Sequence, residues 1–256
     1  MNLLLIALAF LSGTLLASTD FLLSSQHITI THQHQTAWQF EAAGRHALGR
    51  KLTLGLSANY LERFSFYEKA IGGIVGYRFS DRLSVEGRYI LGESDTQILP
   101  REQRHLTAYY ALASGLTPYL SYRDNRYSVT RVHLAALGVE IEKIPHLILI
   151  PQVMAGRSTF SSPAGTESVY SYGLRAMYYE EKKFTAFLFG YRGREASQGI
   201  VGRSNVLVDT TSGGLGGSWS FCDDLRTELV VDHTDYDQLK RQFITTTLNL
   251  YWTVDS

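Results

Sequence analysis

From Lys51 to Arg63 the chain alternates without a break. Leu52, Leu54, Leu56, Ala58 and Tyr60 take one parity; Thr53, Gly55, Ser57 and Asn59 take the other. A period of two over this length predicts a strand. It is longer than a usual globular strand and matches a tilted membrane span of about 9–11 residues. The next segments repeat the pattern. Ile71, Gly73, Val75, Tyr77 and Phe79 oppose Gly72, Ile74, Gly76 and Arg78, and Leu83, Val85, Gly87 and Tyr89 oppose Ser84, Glu86 and Arg88. Trp38, Phe40, Ala42 and Gly44 alternate with Gln39, Glu41, Ala43 and Arg45 in an earlier segment, and HITITHQH (27–34) is a weaker first candidate. Further segments centre on Tyr109, Tyr119, Leu134, Leu149, Tyr172, Phe187, Leu215, Leu229 and Leu248. The total is 14 strands, with 12 as the alternative, since single-chain barrels of this kind have even counts.

The links between segments sort by length. Short ones fall near Leu48–Arg50, Ser80–Arg82, Ala113–Gly115, Glu142–Pro145, Glu180–Lys183 and Phe221–Asp224. Longer ones fall near Arg63–Glu68, Gly92–Glu102, Arg157–Glu167, Gly193–Ser204 and His233–Arg241, with Arg123–Tyr127 the shortest of that set. Short turns on one side and longer loops on the other are the habit of outer-membrane barrels. The expected architecture is therefore all-β: a closed antiparallel transmembrane β-barrel, its last strand closing onto its first because an open edge is costly in hydrocarbon. Leu54, Leu56, Val75, Tyr77, Val85, Leu229 and Leu248 are expected against lipid. A secreted β-sandwich could also alternate. It would not sort its turns into two classes, and its exposed face would carry Lys and Glu rather than Tyr and Leu.

Residues 2–17, NLLLIALAFLSGTLLA, are apolar and uncharged but shorter than a spanning helix needs. They fit a secretory signal cut near Ala17-Ser18, leaving 18–256 as the barrel domain. The 16 Tyr, 12 Phe and 22 Gly suit strands with aromatic belts and close turns. Lys plus Arg equals Asp plus Glu at 24 each, so no bulk attraction to nucleic acid is implied. Cys222 is the only cysteine, without an intramolecular partner or a metal-ligand pattern. The expected surroundings are outer-membrane lipid and lipopolysaccharide, with small polar solutes as the candidate cargo, no cofactor, and a monomeric state.

Charges inside the spans carry the chemistry. Glu41, Arg45, Arg78, Glu86, Arg88, Arg104, Arg192, Arg226 and Glu228 are expected to face the lumen, because an Arg against lipid at midplane would cost about 2–4 kcal/mol. Arg175 and Asp232 lie near the same pattern, Arg104 and Arg175 fitting it less cleanly. Mixed Arg and Glu could form an ion-pair lattice that stiffens the wall, or an Arg-rich wall could line a passage for small anions. A membrane-embedded lipid or glycan hydrolase is the alternative. It needs a nucleophile beside a base with an orienting partner. There is no G-x-S-x-G. His133 and Ser128 sit five apart on opposite faces, and His105 shares a face with Thr107. No catalytic residue is assigned. His32 and His34 share a face but make only two ligands, and Asp232, Asp235 and Asp237 read as a solvated loop rather than a calcium site.

The hairpins LTLGLSANYLERF, AIGGIVGYRFSDRLSVEGRY and LTPYLSYRDNRYS, set behind a signal segment, resemble the YaiO family of outer-membrane β-barrels over residues 26–254. The resemblance implies outer-membrane location and a monomeric barrel. It brings no catalytic residues and no defined activity.

Overall fold

Fourteen antiparallel strands follow one another in chain order and close into a ring. The computed structural model describes residues 18–31, 35–63, 66–93, 100–112, 115–161, 164–180, 183–198, 205–237 and 241–254. The proposed signal segment 1–17, His32 and His34 lie outside them. The strands are β1 (Thr19–Ile30), β2 (Gln35–Leu48), β3 (Leu52–Arg63), β4 (Phe66–Arg78) and β5 (Leu83–Glu93). Next come β6 (Glu102–Tyr110), β7 (Leu116–Arg126), β8 (Thr130–Ile144), β9 (Leu147–Ser161) and β10 (Ala164–Glu180). The ring ends with β11 (Phe184–Gln198), β12 (Asn205–Cys222), β13 (Leu225–Tyr236) and β14 (Arg241–Val254). Closure is made by β1 and β14, registered from Thr19↔Val254 to Ile30↔Phe243. The first strand thus begins at Thr19, eight residues before the segment that alternates in the sequence. In TDFLLSSQ the Leu pair and the Ser pair each straddle both faces, which hides the period.

Side-chain contacts identify the concave face. Arg45 of β2 reaches Glu86 of β5 at 3.3 Å, and Arg88 of β5 reaches Glu41 of β2 at 2.7 Å. Each pair skips two strands. Side chains converge inside a curved sheet and splay outside it, so this face is the lumen. The register carries the same parity around the ring, with irregularities only at Ile141/Ile144 and Ser220/Cys222. On the convex face, Leu54, Leu56, Val75, Tyr77, Leu229 and Leu248 are exposed, as are Leu106, Leu120, Leu137, Val153, Leu174, Leu188 and Leu215. An apolar belt this continuous on the outside of a closed barrel is a lipid face. The protein is an outer-membrane barrel.

The two ends differ. At the end that carries the termini, exposed Tyr77, Phe79, Tyr110, Tyr178, Trp219 and Phe221 run down to the turns. The turns are tight: Gly49 and Gly115 take positive φ (69° and 71°), and Pro145 precedes His146 at φ 64°, the order of a type II turn. At the far end the ladder continues past the apolar belt. β3 ends at Arg63 and β4 starts at Phe66; β9 ends at Ser161 and β10 starts at Ala164. Two of the links expected as loops, Arg63–Glu68 and Arg157–Glu167, are therefore paired backbone over most of their length. Polar side chains there leave backbone pairing intact, so composition alone overstates a loop. Short turns place the termini end in the periplasm and the extended end outside.

Candidate functional site in the barrel lumen

Fourteen strands about 4.8 Å apart and tilted about 40° give a backbone radius of roughly 14 Å. Side chains decide how much of that width stays open. Of the charges assigned from the sequence, Glu41, Arg45, Arg78, Glu86, Arg88, Arg226 and Glu228 share the concave face. The register rows show it: Glu228 opposes Asn249, which opposes Ser24, which opposes Glu41. Arg226 opposes Tyr251, and Arg78 opposes Ser84.

Arg104 and Arg192 lie on the other face and are corrected here. Arg104 opposes Tyr89 and Asp124, and Arg192 opposes Tyr172 and Thr211. Local alternation misleads at both sites. In β6 Gln103, His105 and Thr107 are polar too, so neither parity is apolar. In β11 the bulkier set, Phe187, Phe189 and Tyr191, fills the lumen, while Ala186, Leu188 and Gly190 face out with Arg192. Arg104 is the third residue of β6 from its outer end, where a cation costs about 0–1 kcal/mol rather than the midplane penalty; Arg192 lies mid-strand in β11.

The lumen wall is built from paired groups. Arg88 also donates to Ser57 Oγ at 3.2 Å. Glu228 accepts from Asn249 at 2.9 Å and lies 3.6 Å from Arg226, whose guanidinium stands 4.9 Å from the Tyr251 ring centroid. Arg175 packs on Phe187 at 4.1 Å, with its Nε buried and unpartnered. Tyr119 donates to Gln152 at 2.7 Å and leans on Tyr109. Besides these arginines the face carries Asp20, Glu68, Glu140 and Asp232, so it is not an Arg-rich wall.

Burial changes along the lumen. At the outer end Ile30, Ala37 and Val208 are 0–1 % exposed, and Leu61, Phe160 and Val169 are also buried. All six point inward by register. At the periplasmic end Arg45, Arg78 and Arg226 are exposed. A recess of about 320 Å³ there is lined by Arg50, Lys51, Arg78, Glu86 and Tyr109 among others. The lower lumen is lined by exposed charged side chains, and the upper lumen holds these apolar residues together with buried Glu68, Thr130, Ser158 and Thr210.

One pair has hydrolase-like geometry. His105 Nε2 lies 2.8 Å from Ser121 Oγ and 3.1 Å from Thr107 Oγ1. Sequence spacing could not show this, since the two residues meet only through the β6–β7 register. Among the described residues no carboxylate bonds His105, so the orienting member of a triad is absent. Among the described residues no group of three or more His, Cys, Asp or Glu could hold a metal ion.

No protein-family model and no curated protein matches the chain. Solved structures do. The CymD monoaromatic hydrocarbon channel aligns over 95% of this chain and 89% of its own, with a TM-score of 0.60 and 10% identity. An outer-membrane channel from Pseudomonas putida F1 aligns over 94% and 97%, with 0.60 and 10%. An anion-selective porin from Comamonas acidovorans aligns over 93% and 99%, with 0.52 and 8%. Identities this low establish a shared barrel fold alone.

Proposed function

We propose that the protein is a narrow passive channel for small polar solutes, entered from a charged periplasmic vestibule and constricted at its outer end. The carrying observation is the burial gradient on the lumen face. Paired charges line the lower wall, and in the upper one Ile30, Leu61, Phe160, Val169 and Val208 are buried beside Glu68, Thr130, Ser158 and Thr210. Apolar constrictions gate by excluding water until they widen. Neutral and cationic solutes fit better than anions, because Arg45, Arg88 and Arg226 are each matched by a carboxylate, Arg175 is shielded by Phe187, and Asp20, Glu68, Glu140 and Asp232 also face the lumen beside Arg78 and Arg123. Solved neighbours described as channels are consistent with this use of the fold. We also propose cleavage of segment 1–17, a monomeric state, and a place beside the YaiO barrels, which rests on hairpin layout. The hydrolase alternative has less support, since among the described residues no carboxylate bonds His105 to orient it toward Ser121.

The test is conductance in planar bilayers. The wild-type barrel is expected to give small unitary steps, Phe160→Ala larger ones, and a KCl gradient a reversal potential without anion preference. Absence of steps in both proteins over a wide voltage range would remove transport and leave a structural barrel. Strong anion selectivity would remove the solute assignment.

A further inference from the structure

The outward charges at the extracellular end are not spread evenly. On β6 to β9, four adjacent strands, Arg104, Arg126, Arg131 and Arg157 all face away from the lumen. The register sets Arg126 beside Arg131, and runs Arg104 to Asp124 to His133 to Arg157. All four arginines are exposed. The carboxylates on this patch, Glu102 and Asp124, are already engaged. Glu102 accepts from Arg104 Nε at 2.9 Å and from Tyr89 at 3.0 Å. Asp124 takes a two-pronged contact from Arg131 at 2.8 and 3.0 Å and lies 3.4 Å from His133. Arg126 and Arg157 have no ion pair among the described residues. The patch therefore holds a surplus of positive charge. Around the ring the same level is more balanced: β3 to β5 present Glu62 and Glu93 with Lys69, and β11 to β13 present Arg192 and Arg194 with Asp209 and Asp235, Arg194 lying 3.9 Å from Asp209.

Height fixes the environment. Directly below the patch on the same face are Leu106, Leu120, Leu137 and Val153, all exposed to lipid. Two tyrosines stand against the patch: the Arg104 guanidinium lies 6.0 Å from the Tyr89 ring centroid, and Tyr122 bonds His133 at 2.9 Å. Interfacial tyrosines mark the headgroup level. The arginines stand at that level, on the outer side.

We propose that this patch is a binding site for the phosphorylated diglucosamine headgroup of lipid A in the outer leaflet. Planar guanidinium groups match phosphate oxygens two at a time. Arg157, and Arg126, which stands beside Glu102 in register without a close ion pair among the described residues, supply the free charge, while Arg104 and Arg131, held by Glu102 and Asp124, frame the site. The proposal does not depend on what the lumen carries.

The experiment uses the full barrel in zwitterionic nanodiscs and native mass spectrometry. The probes are bis-phosphorylated lipid A, dephosphorylated lipid A and phosphatidylglycerol. The variants are Arg126→Gln with Arg157→Gln, the same two changed to Lys, and Lys69→Gln on β4, outside the patch. At about fivefold per arginine near an anionic surface, the double Gln variant is expected to bind phosphorylated lipid A about 25-fold more weakly. The Lys pair is expected to keep part of the affinity, and Lys69→Gln all of it. Heat-modifiable gel migration confirms that each variant folds. A loss under about threefold in the double Gln variant overturns the site. So does wild-type binding of dephosphorylated lipid A or phosphatidylglycerol as tight as that of lipid A, an arm that needs no substitution.

Discussion

Two ion pairs on the same lumen wall differ enough to predict different energies. Arg88–Glu41 is short, 2.7 Å, with side chains 25% and 22% exposed; Arg45–Glu86 is 3.3 Å, with 44% and 39%. Unit charges about 4 Å apart attract by about 4 kcal/mol at an effective dielectric of about 20, before desolvation is subtracted. Exposed pairs net about 0–1 kcal/mol, whereas removing one partner of a buried pair costs about 3–5 kcal/mol. Glu41→Gln keeps the shape and removes the charge, leaving a half-buried Arg88 whose Nε already lacks a partner. It should cost about 1–3 kcal/mol, and Arg45→Gln less than about 1 kcal/mol. The assay is equilibrium urea unfolding in phospholipid vesicles, followed through Trp38, Trp219 and Trp252. Raising salt should erode the Arg45–Glu86 contribution first, since exposed charges are screened more. The reasoning fails if Glu41→Gln costs no more than Arg45→Gln. It also fails if Glu41→Gln with Arg88→Gln costs the sum of the singles, which would mean no coupling.

Face assignment and turn strain give two further checks. Leu137→Arg, on the exposed belt of β8, should cost about 2–4 kcal/mol in vesicle unfolding; Ala136→Arg, one residue away on the lumen face, should cost much less, and equal costs would show the parity to be wrong. Gly115→Ala should destabilise more than Gly49→Ala: both have φ near +70°, worth about 1–2 kcal/mol, but at Gly115 an added Cβ meets the backbone carbonyl of Glu142 while at Gly49 nothing lies within 4 Å. Equal losses would show that the Glu142 carbonyl moves aside freely.

The barrel was legible because its period is global. Strands such as Leu52–Arg63 place Leu52, Leu54 and Leu56 outward and Thr53, Ser57 and Asn59 inward, and a closed sheet repeats that bias until no soluble core can use it. What stayed hidden were places where both parities look alike. Arg104 sits in EQRHLT, polar on both sides, and Arg192 follows FLFGY, apolar on both sides. There only the ladder, tied to unambiguous neighbours, sets the face. The His105–Ser121 contact and the Arg45–Glu86 pair were hidden for a different reason. They join separate strands, and their meeting depends on register and curvature that no single segment encodes.

That distinction also separates stability from permeation. The ion pairs join β2 to β5 on one wall, below the packed level, where the wall is still wet. The buried outer level is made instead by Ile30 from β1, Ala37 from β2, Leu61 from β3, Phe160 from β9 and Val208 from β12, set among buried Glu68, Thr130, Ser158 and Thr210. In the proposed channel the apolar members resist passage by excluding water, so their effect scales with side-chain volume. A charge change lower down can therefore alter unfolding energy and leave the outer level as it was. In the proposed channel, trimming Phe160 or Leu61 widens that outer level and leaves the ion pairs untouched. The pairs tie β2 to β5 on one wall, while Phe160 and Val208 come from strands elsewhere on the ring.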